Sequence, residues 1–221
     1  MIPSECDDEA HKRIAEIVGS RLGVDPELLY SAYRGYVSQG LRSFESLLKA
    51  CNDIAKDKLE EVYTIEELEY LHIEMHASYS RLNPDADQFL KALRSIPVYT
   101  VLLSDADPKV ASAIARRLGI DRFFDAIIET GAYDLRKPDP RILRIVLKAL
   151  GLDELKRVEL VVVGDSLRDL ELAKNVRARA FIHVDRGRAL SVLKTFTDST
   201  EVIVVESLFS AIKAIESLVW G

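Results

Sequence analysis

Apolar residues recur three and four positions apart through the first third of the chain, at residues 9–22, 26–37, 43–51 and 65–82, and this spacing predicts four amphipathic helices. Two helix starts are marked by side chains. Asp25-Pro26 has the form of an N-cap followed by a first-turn proline, and Thr64 with Glu67 has the form of a capping box. From Asn83-Pro84 onward the pattern changes to short, nearly continuous apolar runs at 97–103, 158–163, 178–184 and 202–205, with a shorter one at 126–128. These read as strands covered on both faces. Helical stretches at 107–118, 140–150, 167–176 and 207–218 separate them, so the second part predicts a parallel sheet with right-handed crossovers. The expected organisation is α/β: an all-helical domain over 1–83 and a doubly wound parallel-sheet domain over 84–221.

Composition narrows the partners. The 221 residues carry 30 Lys plus Arg against 36 Asp plus Glu, a formal charge of -6, so the net field does not attract nucleic acid. A small phosphorylated metabolite can still meet a local cationic pocket. No apolar run approaches the roughly 20 residues of a membrane span, and no basic segment followed by an apolar one opens the chain. The expectation is a cytoplasmic protein without membrane association. The two cysteines, Cys6 and Cys51, are too few for a disulfide framework or a thiolate zinc site.

In a doubly wound sheet, ligands gather beyond the carboxyl ends of the strands. Three such places carry chemistry. The run Val161-Val162-Val163 ends in Gly164-Asp165-Ser166-Leu167-Arg168-Asp169, which puts two carboxylates one helical turn apart. Hard oxygen ligands of this kind suit magnesium, which takes one or two carboxylates and completes its shell with water and substrate phosphate. The same residues also suit a plain helix start, with Asp165 or Ser166 as cap and Asp169 favoured by the helix dipole. Lys137, in Arg136-Lys137-Pro138-Asp139-Pro140, sits on a turn stiffened by Asp139 as N-cap and Pro140 as first helical residue, where an ammonium can neutralise a phosphoryl group or a carboxylate nucleophile, or stand as a plain surface lysine beside a helix start. Ser104 closes the run Val101-Leu102-Leu103, where its hydroxyl can bond a phosphoryl oxygen.

In order and spacing, Ser104, Lys137-Pro138 and Gly164-Asp165 to Asp169 resemble the second, third and fourth motifs of the haloacid-dehalogenase-like superfamily, over roughly residues 84–185. The resemblance implies a Rossmann-like core with a helical cap before it and a phosphatase acting on a small phosphate ester through an aspartyl-phosphate. It implies that Ser104 and Lys137 are catalytic, that Asp165 and Asp169 hold Mg2+, and that Ser104, Asp105, Lys137 and Ser166 surround the phosphate. The family's first motif, a strand followed by Asp-x-Asp-x-Thr that carries the nucleophile, does not occur in the 221 residues. Residues 1–12 resemble the stretch that follows it, which points to a chain whose native form starts earlier. The missing strand belongs between the runs 97–103 and 158–163, and an open slot there would favour a homodimer formed by strand exchange. Noncatalytic phosphate binding by a regulatory relative, and haloacid dehalogenation, are the alternatives.

Asp105 departs from the amide common beside the motif-two hydroxyl, and a carboxylate there must turn away from phosphate or pair. His72, Glu74 and His76 do not match the zincin order and read as residues of a cap surface or interface. His183 ends a strand, a position that suits either the cleft lining or a structural role, and a lone strand-end histidine reads as the second. Tyr30, Tyr33, Tyr36 and Phe44 read as cap core or cleft wall.

Overall fold

The computed structural model describes residues 1–56, 58–152, 159–185 and 200–220. The chain divides into two compact units. The helical unit comprises Ile2–Arg81 and Ala106–Asp121. It contains α1 (Ser4–Leu22), α2 (Pro26–Ser38), α3 (Ser43–Ala55), α4 (Lys58–Val62), α5 (Ile65–Tyr79) and, from further along the chain, α7 (Val110–Arg117). The expected cut at residue 83 lies close to the division after Arg81, but the second block is not continuous. Segment Ala106–Asp121 packs on the helices because α7 meets α5, Asp107 accepts the Phe44 N–H at 2.9 Å, and Lys109 pairs with Glu69 at 3.1 Å.

Local chemistry sets these helices. Asp25 accepts the Glu27 N–H at 3.0 Å with Pro26 as the first helical residue, and Thr64 and Glu67 bond reciprocally at 2.9 and 3.2 Å. Gly23, at φ 68°, ends α1 in the left-handed conformation that a side chain would resist. The core is Ile14, Val18 and Leu22 against Leu29, Tyr33, Leu47, Cys51, Leu59, Tyr63 and Leu68. Tyr33 is fully buried, and Tyr30, Tyr36 and Phe44 pack on the same cluster. Burial pushes the Cys51 thiol up to about 12, which makes it an inert core residue. His72 and His76 are 1% and 5% exposed, so neither lies on a surface. They occupy the inward stripe of α5 one turn and two turns beyond Leu68.

The second unit comprises Met1, Leu82–Asp105 and Arg122–Gly221. It holds α6 (Ala86–Leu93), β1 (Val101–Ser104), β2 (Ala126–Glu129), α8 (Ile142–Ala149), β3 (Val161–Gly164), α9 (Leu167–Asn175), β4 (Ala180–Val184), β5 (Glu201–Val205) and α10 (Leu208–Trp220). All ladders are parallel: β1 pairs with β2, and β3-β4-β5 form a second sheet. The α/β, Rossmann-like fold expected from the alternation of elements is the fold observed. Strand β1 starts four residues later than expected, since Pro97 has no amide hydrogen for a ladder. Helix α6 was not expected, because a helix this short shows too little of its period. Strand β3 begins at Val161 rather than 158: Glu159 and Leu160 precede the strand, and residue 158 lies outside the described residues.

Among the described residues β1 is in register only with β2, and β3 only with β4. All five residues of β4 are buried, whereas those of β1 and β3 are only partly so. Phe181 of β4 packs against Leu170 and Ala173 of α9, while Leu172 of α9 reaches Leu135 and Ile142 beside α8. These contacts anchor the N-terminus of α9, where the acidic motif lies, to both sheets. At the opposite flank, Asp85 accepts the Leu208 N–H at 2.8 Å and fixes the start of α10.

Candidate functional site

The strand-end residues read from the sequence fall at the carboxyl ends of β1 and β3 and on the turn that leads into α8. Gly164 is the last residue of β3, and Ser166 caps α9 with its hydroxyl accepting the Asp169 N–H at 3.3 Å. Asp169 returns the bond, so Ser166 and Asp169 form a capping box. The plain helix-start reading and the functional one therefore describe the same residues. Asp169 is 8% exposed, and a cap alone has no need of that burial.

The burial is explained by Lys137. Its ammonium donates to Asp169 Oδ1 at 2.7 Å, while Oδ2 accepts from Ser166 Oγ at 2.6 Å and from Ser166 N at 3.2 Å. Three of the roughly four acceptor positions of this carboxylate are thus in use. Only glycine permits the approach: a Cβ on Gly164 would stand 2.6 Å from the Asp169 Cβ, Cγ and Oδ2. The backbone of Lys137 is held as well. Its N–H donates to Asp105 Oδ1 at 3.0 Å, the peptide bond to Pro138 is cis, and the Pro138 carbonyl accepts from Asn175 Nδ2 at 2.8 Å.

Asp105 turns into the protein. Its Oδ1 also accepts from the Thr130 hydroxyl at 2.9 Å, and Arg168 Nη1 lies 3.8 Å from its Oδ2. The carboxylate is a brace that ties the end of β1 to the segment after β2 and to Lys137, and this orientation removes the expected repulsion of a phosphate. Thr130, fully buried, is the partner that sequence reading missed; a threonine just past a four-residue strand carries no signal of its own. Ser104 stands opposite Glu129 in the β1–β2 ladder, next to Asp105.

Asp165 differs from its neighbours. It is partly buried at the end of β3, and its carboxylate makes no hydrogen bond or ion pair among the described residues. A strand-end carboxylate left unpaired beside a lysine-bearing cluster offers hard oxygen donors to a cation. The donor set, Asp165 plus the remaining lone pair of Asp169, fits magnesium, which is satisfied by one or two carboxylates when phosphate and water complete the shell. Asp139, expected as an N-cap, instead accepts the Arg141 N–H at 2.8 Å, and α8 begins at Ile142. The hydrogen bonds from the Arg141 side chain hold the Asp139 carboxyl below its ordinary range. His183, opposite Gly164 in the β3–β4 ladder, is 1% exposed.

The sequence profile of the haloacid dehalogenase-like hydrolases matches residues 6–177. The chain is 25% identical over 162 residues to a phosphoglycolate phosphatase of Neisseria gonorrhoeae, an overlap covering 72% of this chain and 66% of that protein. It is 34% identical over 100 residues to a glyceraldehyde 3-phosphate phosphatase of Pyrococcus abyssi, covering 45% of this chain and 41% of the relative. The chain thus spans two thirds or less of the length of these curated relatives. In three dimensions it resembles a HAD phosphatase from Thermococcus onnurineus with a TM-score of 0.64 at 19% identity, over 93% of this chain and 87% of the other. That likeness is one of fold.

Proposed function

The chain belongs to the haloacid dehalogenase-like hydrolases, and from that membership we propose that its strand-end cluster is the phosphoryl-binding, magnesium-holding part of a phosphohydrolase for a small phosphate ester. The observation that carries this reading is the Lys137–Asp169 pair, built over Gly164 at the end of the strand that Asp165 follows directly.

Lys137 is 15% exposed at its side chain, so its ammonium is largely stripped of water. At an effective dielectric near 20, a phosphoryl oxygen about 4 Å away would gain roughly 4 kcal/mol of attraction. Asp169 and the Asp105–Lys137 N–H bond fix the lysine before substrate arrives, so little reorganisation remains at the reacting centre. Ser104 supplies a hydroxyl to a phosphoryl oxygen from the end of β1. Asp165 and Asp169 would hold magnesium, which would neutralise charge on the transferred group.

The relatives are named for phosphate monoesters of small metabolites, which supports the same substrate class here. The carboxylate nucleophile of such a reaction is not among the residues gathered in the cluster, and Asp-x-Asp-x-Thr does not occur in the 221 residues. In this reading the nucleophile comes from outside the cluster, and among the described residues β1 is paired only with β2 and β3 only with β4. Magnesium-dependent hydrolysis of an aryl phosphate tests this division of labour. The 221-residue chain is expected to show no turnover above buffer; turnover abolished by Asp165→Asn would show that a replacement nucleophile is present in the chain itself.

A further inference from the structure

Within the helical unit, three buried histidines, His11, His72 and His76, occupy positions where the helix pattern calls for apolar residues, and the exposed Asp7 stands over them. Asp7 and His11 stand one turn apart on α1, and His72 and His76 one turn apart on α5. The rings of His11 and His76 are 5.0 Å apart, and those of His72 and His76 are 4.5 Å apart. Ser43 Oγ is the hub on one side, 2.8 Å from His11 Nε2, 2.9 Å from His72 Nε2 and 2.6 Å from the Tyr33 hydroxyl. On the other side His76 Nδ1 lies 3.2 Å from Asp7 Oδ1, and His11 Nδ1 lies 3.8 Å from Asp7 Oδ2.

This network does not close. His72 Nδ1 and His76 Nε2 are buried and have no hydrogen-bond partner, in a setting where buried polar atoms are nearly always bonded. One ligand atom from each of Asp7, His11 and His76 already lies within 4.8 Å of the others. A tetrahedral ion with bonds of about 2.0–2.2 Å sets its ligand atoms roughly 3.3–3.6 Å apart, close to the Asp7–histidine separations. Imidazole and carboxylate donors together suit zinc or cobalt better than the magnesium of the strand-end cluster.

We propose that Asp7, His11 and His76 form a binding site for a borderline divalent ion, zinc or cobalt, which ties the start of α1 to the end of α5. Ligation through His76 Nδ1 moves its proton to the bare Nε2 or releases it to solvent. His11 Nδ1 faces the Arg34 guanidinium, which can only donate, so this nitrogen carries the lone pair that a metal ion needs. The other charged groups facing the site are Asp8, Asp107 and Arg34. Asp107 Oδ2 is 4.0 Å from His72 Nε2 on the far side of the cluster. Arg34 is the competitor: its Nη1 is 3.3 Å from His11 Nδ1, the lone pair the ion needs, while its Nε bonds Asp8 at 3.1 Å. On binding, the guanidinium gives up His11 and keeps Asp8.

The test is a titration of the untagged, chelator-treated chain with Co2+, read by visible absorption, followed by Zn2+ displacement. The expected result is one Co2+ per chain with the intense bands of a four-coordinate ion, displaced by Zn2+. Asp7→Asn, at a side chain 57% exposed and therefore safe for folding, and His76→Asn are expected to weaken binding at least about tenfold. Arg34→Ala is expected to tighten it, and Asp165→Asn to leave the spectrum unchanged. Absence of a four-coordinate spectrum, or undiminished binding in Asp7→Asn, would overturn the site. So would a spectrum lost with Asp165→Asn, or binding that Arg34→Ala fails to strengthen.

Discussion

Replacing Gly164 by alanine tests whether the strand-end cluster depends on one missing methyl group. The added Cβ would meet three atoms of Asp169 at 2.6 Å, where ordinary contact begins near 3.4 Å, so the aspartate must retreat by almost 1 Å. It cannot do so without lengthening the 2.7 Å bond from Lys137 and the 2.6 Å bond from Ser166. Loss of the cap costs about 1 kcal/mol. Breaking a fully buried ion pair costs about 3–5 kcal/mol, and the 15% and 12% side-chain exposure of Lys137 and Asp169 reduces this share. The sum is a destabilisation of roughly 2–4 kcal/mol. Urea unfolding followed by circular dichroism gives the number directly, and the substitution repeated in an Asp169→Gly background, which removes the Cβ as well as the carboxylate, shows where it comes from. With all three clashing atoms removed, the cost is expected to fall by half or more. A Gly164→Ala protein within about 0.5 kcal/mol of the parent, or an equal cost in both backgrounds, would refute the reasoning.

Three further outcomes follow from the structure. Asp105→Ala strands the fully buried Thr130 hydroxyl and the Lys137 N–H and is expected to cost about 2–4 kcal/mol in urea unfolding, whereas Asp105→Asn, which keeps a carbonyl acceptor, is expected to cost under about 1. The helical unit is expected to weaken on acidification. The folded pKa of His11, about 4, lies below its unfolded value of 6.5, so the stabilisation is complete above pH 6.5 and is lost as pH falls towards 4, by roughly 3 kcal/mol. The Asp7 carboxyl, which burial alone would raise, is held at about 2 by its hydrogen bond to His76 and nearby cationic groups, and its contribution is lost below pH 3.8. Urea midpoints at pH 7.5, 6, 5 and 4 check the His11 window and midpoints at pH 4 and 3 the Asp7 window; a flat profile from 7.5 to 4 would contradict the first and no further fall from 4 to 3 the second.

What the sequence made legible was governed by local physics. The Val161-Val162-Val163 run, the Thr64–Glu67 box and the Asp25-Pro26 start depend on neighbours a few residues away, and each is found where the pattern placed it. What it hid was set by distant partners. Nothing near Asp105 announces that Thr130 will bond it, and nothing near His72 announces Ser43 and His11. The polarity of His72 and His76 suggests a cap surface or interface, whereas their spacing from Leu68 puts all three on one stripe of α5, where both histidines are buried. Segment Ala106–Asp121 was assigned to the sheet domain by sequence order, whereas its contacts with Phe44 and Glu69 place it with the helices. No described helix is long and apolar enough to cross a membrane, in keeping with the absence of a long apolar run.

The central claim is that Lys137 and Asp165 recognise a phosphoryl group together with magnesium. Calorimetric titration of orthophosphate into the 221-residue chain, with and without Mg2+, tests it in the absence of turnover. Saturable binding that strengthens with Mg2+, loses that enhancement in Asp165→Asn and disappears in Lys137→Met is the predicted result. Phosphate binding as strong in Lys137→Met as in the parent, or indifferent to Mg2+, would contradict it.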